Sequence, residues 1–266
     1  MLDIALKAAR AGGDAILPFI GQPIPTEYKS DDSPLTKADL ASHHAIVAVL
    51  EAETPDIPVL SEEGDPESLD RSGWTRFWCI DPLDGTKEFV KGSGEFTVNV
   101  ALIEDGTPTM GVVHVPVKDV TYGGDAEGAF KIADGDRQPI TTREAPEGAL
   151  TVVASRDHAG PEIAEAIARI EKSGREVEAA SMGSSLKFCL VAEGEADLYP
   201  RTGPTMEWDT AAAHAVLYAA GGKLVALTGE HAGEPLPYNR DNLRNPPVVA
   251  WGDPSLDWRP WLDGLV

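Results

Sequence analysis

The sequence predicts an α/β protein in which an α+β half packs on an α/β half. Between residues 96 and 132, four apolar segments follow one another with only turn residues between them, which is typical of an antiparallel sheet. Beyond about residue 140, strand-like and helix-like segments alternate instead. A run of strands followed by alternating elements indicates an α+β unit joined to an α/β unit.

Each element can be placed from its apolar periodicity and its boundary residues. A first helix over residues 2–17 ends before Pro18, and a loop over 21–35 separates it from a second helix at about 37–53. Asp105-Gly106 is a hairpin candidate, and Gly221-Gly222 is expected to end the last helix. The other predicted elements are strands at 57–60, 77–80, 96–103, 110–117, 120–123, 129–132, 150–154 and 196–199, and helices at 161–173, 185–193 and 209–220.

Composition and charge restrict the class of partner. The chain has 266 residues, with 22 basic against 44 acidic side chains and a formal net charge of −22. Nucleic acid polymers are held by clusters of Lys and Arg, so this balance argues against such a partner. A small phosphorylated ligand is still compatible, because it needs only local cations or a metal ion.

The sequence favours a cytoplasmic protein. Charged residues occur throughout the first turns, which is unlike a secretory signal, and no run of eighteen apolar residues is present. Cys79 and Cys189 lie in apolar contexts without a CxxC pair and are expected to be buried thiols. Peripheral association with the inner face of the membrane and a homodimer are both left open.

The segment from Trp78 to Phe89 is the most informative. It places Asp81 and Asp84 three residues apart, in a predicted turn directly after a buried strand. Carboxylates in such a position cost free energy unless a cation lies between them, and hard divalent ions prefer oxygen ligands. The alternative is a turn in which both side chains only cap backbone amides.

Further carboxylates stand at the ends of other predicted elements. Asp39 could serve a capping box with Thr36, Glu62 and Glu63 could belong to a solvated turn, and Asp209 could cap its helix. If these groups converge, two carboxylates about 4 Å apart repel by about 4 kcal/mol, so a metal ion or shared protons would be required. Convergence itself does not follow from the spacing. Neither a GxSxG elbow, an HExxH helix nor a Walker loop is present.

Several segments together resemble a known family. The segments Ser61-Glu62-Glu63, Asp81-Pro82-Leu83-Asp84-Gly85-Thr86 and Glu207-Trp208-Asp209-Thr210-Ala211-Ala212 are similar to those of the inositol monophosphatase superfamily of magnesium-dependent phosphatases. Residues 94–100 and 183–194 further resemble the CysQ-type 3′(2′),5′-bisphosphate nucleotidases within it. The resemblance extends from the first helix to about Gly222.

The resemblance implies a layered αβαβα sugar-phosphatase-like fold that binds two or three Mg²⁺ ions. Residues 1–138 would form an N-terminal α+β subdomain with most metal ligands, and residues 139–266 a C-terminal α/β subdomain with Asp209 and the substrate-selecting residues. Asp39, Thr86 and Glu62 would be catalytic, with Thr86 and Asp39 orienting the attacking water. The implied metal ligands are Glu62, Asp81, the Leu83 carbonyl, Asp84 and Asp209.

The implied substrate is a small phosphorylated nucleotide, adenosine 3′,5′-bisphosphate, which would lose its 3′-phosphate. Ser184, Lys187 and Arg201 match nucleotide-contacting positions, with ordinary surface charges as the alternative for the two cations. Ser155, Arg156 and His158 are further candidates for an adenosine pocket. The implied substrate contacts are Glu62, Leu83, Asp84, Gly85, Thr86, Ser184, Lys187, Arg201 and Asp209. The alternatives are an inositol or other sugar phosphatase of the same superfamily, and an acidic metal-binding module without catalysis.

Overall fold

Five alternating layers of helices and sheets form the fold. The computed structural model describes residues 1–21, 37–154 and 160–266, together with the backbone of two short paired strands at 27–28 and 34–35. Helices α1 and α2 cover one face of a seven-stranded sheet, and α5 and α6 lie between that sheet and a five-stranded one. Helices α4 and α7 cover the outer face of the second sheet. The predicted layered αβαβα class is confirmed.

The helices are α1 Leu2–Ile16, α2 Lys37–Glu53, α3 Thr86–Lys91, α4 Pro161–Lys172, α5 Leu186–Ala192, α6 Glu207–Ala219 and α7 Arg259–Leu262. The strands are β1 Glu27–Tyr28, β2 Pro34–Leu35, β3 Val59–Ser61, β4 Arg76–Asp84, β5 Thr97–Glu104, β6 Thr107–Val115, β7 Val120–Asp125, β8 Gly128–Ala133, β9 Asp136–Ile140, β10 Leu150–Ala154, β11 Val177–Ser181, β12 Leu198–Arg201, β13 Thr205–Met206, β14 Lys223–Ala226, β15 Arg244–Asn245 and β16 Val248–Trp251.

The seven-stranded sheet follows the chain in the order β3 to β9. All its pairs are antiparallel except β3 with β4, because a polar connection rather than a hairpin joins those two strands. The predicted hairpin at Asp105-Gly106 joins β5 to β6, with both residues at positive φ. The sheet ends at Ile140, so the predicted boundary at 138/139 falls inside its last strand.

The five-stranded sheet has the order β11-β10-β12-β16-β14. It combines parallel pairs around β10 with antiparallel pairs around β16, as expected when helices α4 and α5 connect strands on both faces. Its strands β11, β14 and β16 were not predicted from the sequence. No residue of the edge strand β11 is fully buried, so its sequence carries no clear apolar pattern.

Helix α6 joins the two halves, because it contacts β4 to β8 of the first sheet and also β14 of the second. Two glycines of the first sheet permit its close approach. A Cβ atom at Gly111 would lie 2.1 Å from the Ala212 carbonyl oxygen, and one at Gly124 would lie 2.8 Å from the Val216 Cα. The central turns of α6 are thereby packed closely against the sheet that carries β4.

The prediction of a turn immediately after Ile80 is wrong. Strand β4 continues through Asp81 to Asp84, and its pairing with β5 shifts between these two residues. Asp81 is opposite Asn99 and Asp84 is opposite Thr97, so β4 has one residue more than β5 over this interval. Pro82 cannot donate to a strand ladder, which explains why the irregularity falls here.

Candidate active site

The irregularity in β4 brings two carboxylates to one side of the sheet. In a regular strand, residues three apart point to opposite faces. The extra residue between Asp81 and Asp84 restores a common side, and Asp81 fixes the local backbone by accepting a hydrogen bond from the Leu83 amide at 3.0 Å. Gly85 follows at φ 91° as the N-cap of helix α3, which begins at Thr86 and was not predicted from the sequence.

Asp209 completes the cluster from the other half of the fold. It lies in the first turn of α6, where its Oδ2 accepts the Met206 amide at 2.7 Å. Carboxylate oxygens of Asp81, Asp84 and Asp209 all lie within 4.8 Å of one another. Helix α6 packs on both sheets, which is why residues so distant in sequence meet here.

Burial and mutual repulsion destabilise the charged forms of these carboxylates. Burial raises the pKa of Asp81 well above its ordinary 3.8, and the charges of Glu62, Asp84, Asp209 and Asp39 raise it further. Burial likewise raises the pKa of Asp209. In Asp84 the same burial effect is partly offset by Lys187 and by the Ser185 amide. Among the described residues, Lys187 and Arg201 thus compensate only part of the cost of burying and crowding these carboxylates.

The donor set fits a hard divalent cation. One buried and two half-buried carboxylates supply only oxygen ligands, which suit Mg²⁺ or Ca²⁺ better than the softer metals that prefer thiolate or imidazole. A bound cation would offset the repulsion that raises the pKa of each aspartate. The arrangement thus supports the predicted metal-ligand roles of Asp81, Asp84 and Asp209.

The other predicted catalytic residues surround this cluster. Asp39 is buried in the first turn of α2, and both its charge and that of Glu62 act on Asp81. Glu62 follows strand β3, which pairs directly with β4. The Thr86 hydroxyl lies 3.5 Å from the Leu83 carbonyl oxygen. The water-orienting role of Thr86 with Asp39, and metal ligation by Glu62 and Leu83, remain predictions.

Cations line the opposite wall of the site. A cavity of about 140 Å³ is bounded by Asp84, Gly85 and Asp209 on one side and by Ser184, Lys187 and Arg201 on the other. Lys187 is almost fully buried, and its Nζ donates to the Met182 carbonyl at 3.3 Å. Burial lowers the pKa of Lys187, whereas the charge of Asp84 raises it. These predicted substrate residues therefore share one cavity with two of the aspartates.

A buried polar network connects the two walls, and sequence reasoning missed it. Ser185 donates its amide to Asp84 and its hydroxyl to Asn99 Oδ1 at 2.8 Å. The Thr97 hydroxyl lies 2.8 Å from that of Ser185. Thr97 and Asn99 alternate along the otherwise apolar strand β5, and this spacing of two was an available signal that they face one side together.

Two further predictions lie outside the described residues. These are the adenosine pocket from Ser155, Arg156 and His158, and the pairing of Thr36 with Asp39. Cys79 and Cys189 are buried free thiols, as predicted. Within residues 1–21, 37–154 and 160–266, no helix is both long and apolar enough to cross a membrane.

The raised pKa values predict that the free energy of unfolding of the metal-free protein depends on pH. Asp81 binds its proton more tightly in the folded than in the unfolded state, so its contribution to stability is complete below about pH 4 and is lost as the pH rises through its raised folded pKa. In EDTA, Asp81→Asn should therefore be more stable than the unchanged protein at pH 8, and about equal to it at pH 4. Urea unfolding at both pH values measures this.

Mg²⁺ should reverse the order at pH 8, because it stabilises the unchanged protein more than the variant. An equal stability difference between the two proteins at pH 4 and pH 8 in EDTA would contradict the prediction, since Asp81 would then carry no charge-dependent strain.

The chain is similar to known proteins over most of its length. The model of the Inositol monophosphatase family matches residues 1–253. The 3'(2'),5'-bisphosphate nucleotidase CysQ of Escherichia coli (strain K12) is 48% identical over 249 residues, which cover 92% of this chain and 97% of that protein. A second such nucleotidase, from Buchnera aphidicola, is 41% identical over 86% of this chain and 85% of its own length.

Solved structures agree with this relationship. The crystal structure of CysQ from Bacteroides thetaiotaomicron has a TM-score of 0.81 and 43% identity, covering 94% of this chain and 96% of that one. An inositol monophosphatase from Zymomonas mobilis has a TM-score of 0.76 and 28% identity, covering 98% and 95% respectively. The family model, the sequence identities and the fold all agree. This chain belongs to the inositol monophosphatase family.

Proposed function

We propose that this protein is a Mg²⁺-dependent phosphatase that hydrolyses the 3′-phosphate of adenosine 3′,5′-bisphosphate to give AMP and phosphate. The observation that carries the proposal is a carboxylate cluster facing Lys187 and Arg201 across one small cavity. The first group suits divalent cations, and the second suits a substrate with an additional phosphate. The relatives at 48% identity bear the name of this activity.

In this proposal Glu62, Asp81, the Leu83 carbonyl, Asp84 and Asp209 hold two or three Mg²⁺ ions. When bound, the ions supply positive charge at the reacting phosphate and favour ionisation of water. Thr86 and Asp39 orient the water that attacks phosphorus. The Gly85 and Thr86 amides, at the start of α3, donate to the phosphate oxygens. The bond between phosphorus and the 3′-oxygen breaks, and the departing oxygen takes up a proton to become the ribose 3′-hydroxyl.

Substrate selection falls to the second wall of the cavity. Lys187 can act as a point charge toward the 5′-phosphate, and the Arg201 guanidinium can bind an oxygen pair of the same group. Ser184 lines the same cavity, at a φ of 48° that a non-glycine residue rarely adopts. Such strain is typical of positions that a site requires.

The substrate places the enzyme in sulfur metabolism, because adenosine 3′,5′-bisphosphate is a by-product of sulfate activation and reduction. That setting is cytoplasmic. An inositol phosphatase is the closest rival, and one relative of 25% identity was solved with inositol monophosphate bound. A metal-binding module without catalysis is the non-enzymatic alternative. It does not explain why Lys187 and Arg201 line the same cavity as the carboxylates.

A substrate panel with purified protein tests the proposal. Phosphate release with Mg²⁺ should have a higher kcat/KM for adenosine 3′,5′-bisphosphate than for inositol 1-phosphate, and EDTA should abolish both activities. A preference for the inositol ester would overturn the substrate assignment. Absence of release from every ester would favour the binding module.

A further inference from the structure

Glu207 is a completely buried carboxylate that lies two residues before Asp209 and outside the metal cluster. Residues two apart on a helix are separated by about 200° around its axis, so the side chains of Glu207 and Asp209 leave α6 on nearly opposite sides. Asp209 faces the other aspartates, whereas Glu207 faces the segment from Asn239 to Asn245. A buried carboxylate is tolerated only with strong partners.

The partners of Glu207 are several and well placed. Its Oε2 accepts the Asn239 amide at 2.7 Å, and its Oε1 accepts the Arg240 amide at 2.9 Å and the Arg240 Nε at 3.1 Å. Both oxygens are therefore acceptors, and Arg240 supplies the opposite charge. These contacts hold the first turn of α6 against the loop between β14 and β15.

The same contacts continue to the backbone beside Asp209. Arg240 donates to Asn245 Oδ1, and the Asn245 Nδ2 donates to the Met206 carbonyl at 2.7 Å. The Met206 amide donates to the Asp209 carboxylate. Met206 is thus held on one side by the Arg240–Asn245 contacts and on the other by the predicted metal ligand.

Arg71 extends the assembly to the N-terminal half. Its guanidinium donates to Asn239 Oδ1 at 2.7 Å and to the Arg240 carbonyl at 3.1 Å. In return, the Asn239 Nδ2 donates to the carbonyls of Arg71 and Trp74. Arg71 belongs to the connection between Glu62, which follows β3, and the aspartates on β4, so the assembly reaches both segments that carry predicted ligands.

We propose that the buried Glu207–Arg240 pair is a positioning device that sets the affinity for Mg²⁺ by holding the first turn of α6, and with it the Asp209 carboxylate, against the aspartates of β4. This inference rests on the proposed metal site. Neither residue lines the cavity of the candidate site. Partners that orient metal ligands from outside typically change metal affinity by about 10- to 100-fold when they are replaced.

Two variants test the proposal. In Glu207→Gln one oxygen becomes an NH₂ group that faces backbone donors, and in Arg240→Met the opposite charge is lost. Each should raise the Kd for Mg²⁺, measured by calorimetry on the purified protein, by at least about tenfold. Arg240→Lys should restore part of the affinity. At saturating Mg²⁺, kcat should return to within a few-fold of its original value, because the ligands themselves are intact.

A matched control separates positioning from loss of stability. Arg143 forms a comparable pair with the buried Asp197, at 2.8 Å, beside the second sheet, where Asp197 also accepts the Thr151 amide of β10. Arg143→Met should lower the urea midpoint as Arg240→Met does, yet leave the Kd for Mg²⁺ unchanged. An equal loss of Mg²⁺ affinity in Arg143→Met would overturn the proposal.

Asp209→Asn distinguishes this inference from the metal site on which it rests. If Asp209→Asn weakens Mg²⁺ binding while Glu207→Gln and Arg240→Met bind Mg²⁺ normally, the positioning role is wrong and the metal site stands. If Asp209→Asn itself binds Mg²⁺ normally, both proposals are overturned. Weakened binding in all three, with the Arg143→Met control unchanged, supports the proposal.

Discussion

Asp84→Asn should lower kcat for phosphate release by about a thousandfold, because the loss of one carboxylate from the proposed metal site removes several kcal/mol of electrostatic stabilisation of the reacting phosphate. Asp84 has contacts in both halves of the site. It belongs to the carboxylate cluster and also accepts the Ser185 amide from the other half. Steady-state assays across a Mg²⁺ titration measure the effect.

The same variant should have the opposite effect on the stability of the metal-free protein. The pKa of Asp84 is raised, chiefly by burial, so a neutral asparagine removes an unfavourable charge at neutral pH. In EDTA, Asp84→Asn should therefore unfold at a higher urea concentration than the unchanged protein. Asp197→Asn is the control, since this buried carboxylate pairs with Arg143 away from the cluster.

Asp197→Asn should lose stability and keep its kcat. Activity of Asp84→Asn equal to that of the unchanged protein would contradict the metal assignment. A loss of activity accompanied by a lower urea midpoint in EDTA would point to general damage instead.

Lys187→Met should lower kcat/KM for adenosine 3′,5′-bisphosphate by about 10- to 100-fold, which corresponds to a hydrogen bond to a charged group. Adenosine 3′-monophosphate lacks the 5′-phosphate and should lose far less. The expected result is therefore a fall in the ratio of the two kcat/KM values. Lys187 is suited to this role because it is almost fully buried in the cavity wall, where its charge is poorly solvated.

Lys172→Met is the charge-matched control, since Lys172 lies in the last turn of α4. It should leave both kcat/KM values unchanged. An equal fall for the two nucleotides in Lys187→Met would place Lys187 at the reacting phosphate or at Asp84, and would contradict its assignment to the second phosphate.

The fold was largely predictable where periodicity was strong. Helix α2 over Lys37–Glu53 has the predicted bounds because its buried residues recur at helical spacing. Strand β10 over Leu150–Ala154 has them because it is a short apolar run buried between two cores. Strand β9, Asp-Arg-Gln-Pro-Ile, was missed because four of its five residues are exposed at the edge of its sheet. Hydrogen bonds to β8, rather than burial of its side chains, stabilise this strand.

The site was only partly predictable for a different reason. The residue types at Asp81 and Asp84 suggested a metal, but the approach of Asp209 depends on helix α6 packing against Gly111 and Gly124, which no local pattern encodes. The family resemblance supplied this convergence. Glu207 had no signal at all, because a glutamate at the start of a helix is ordinary until its complete burial is seen.

The additional residue in β4 has a consequence for how the family can vary. With it, Asp81 and Asp84 lie on one side of the sheet, whereas a strand of the same length in regular register would place them on opposite sides. Retention of both aspartates in a homologue is therefore not sufficient to infer function. The local count of residues opposite Thr97 and Asn99 must be inherited as well, so backbone register is as much a heritable part of this site as any side chain.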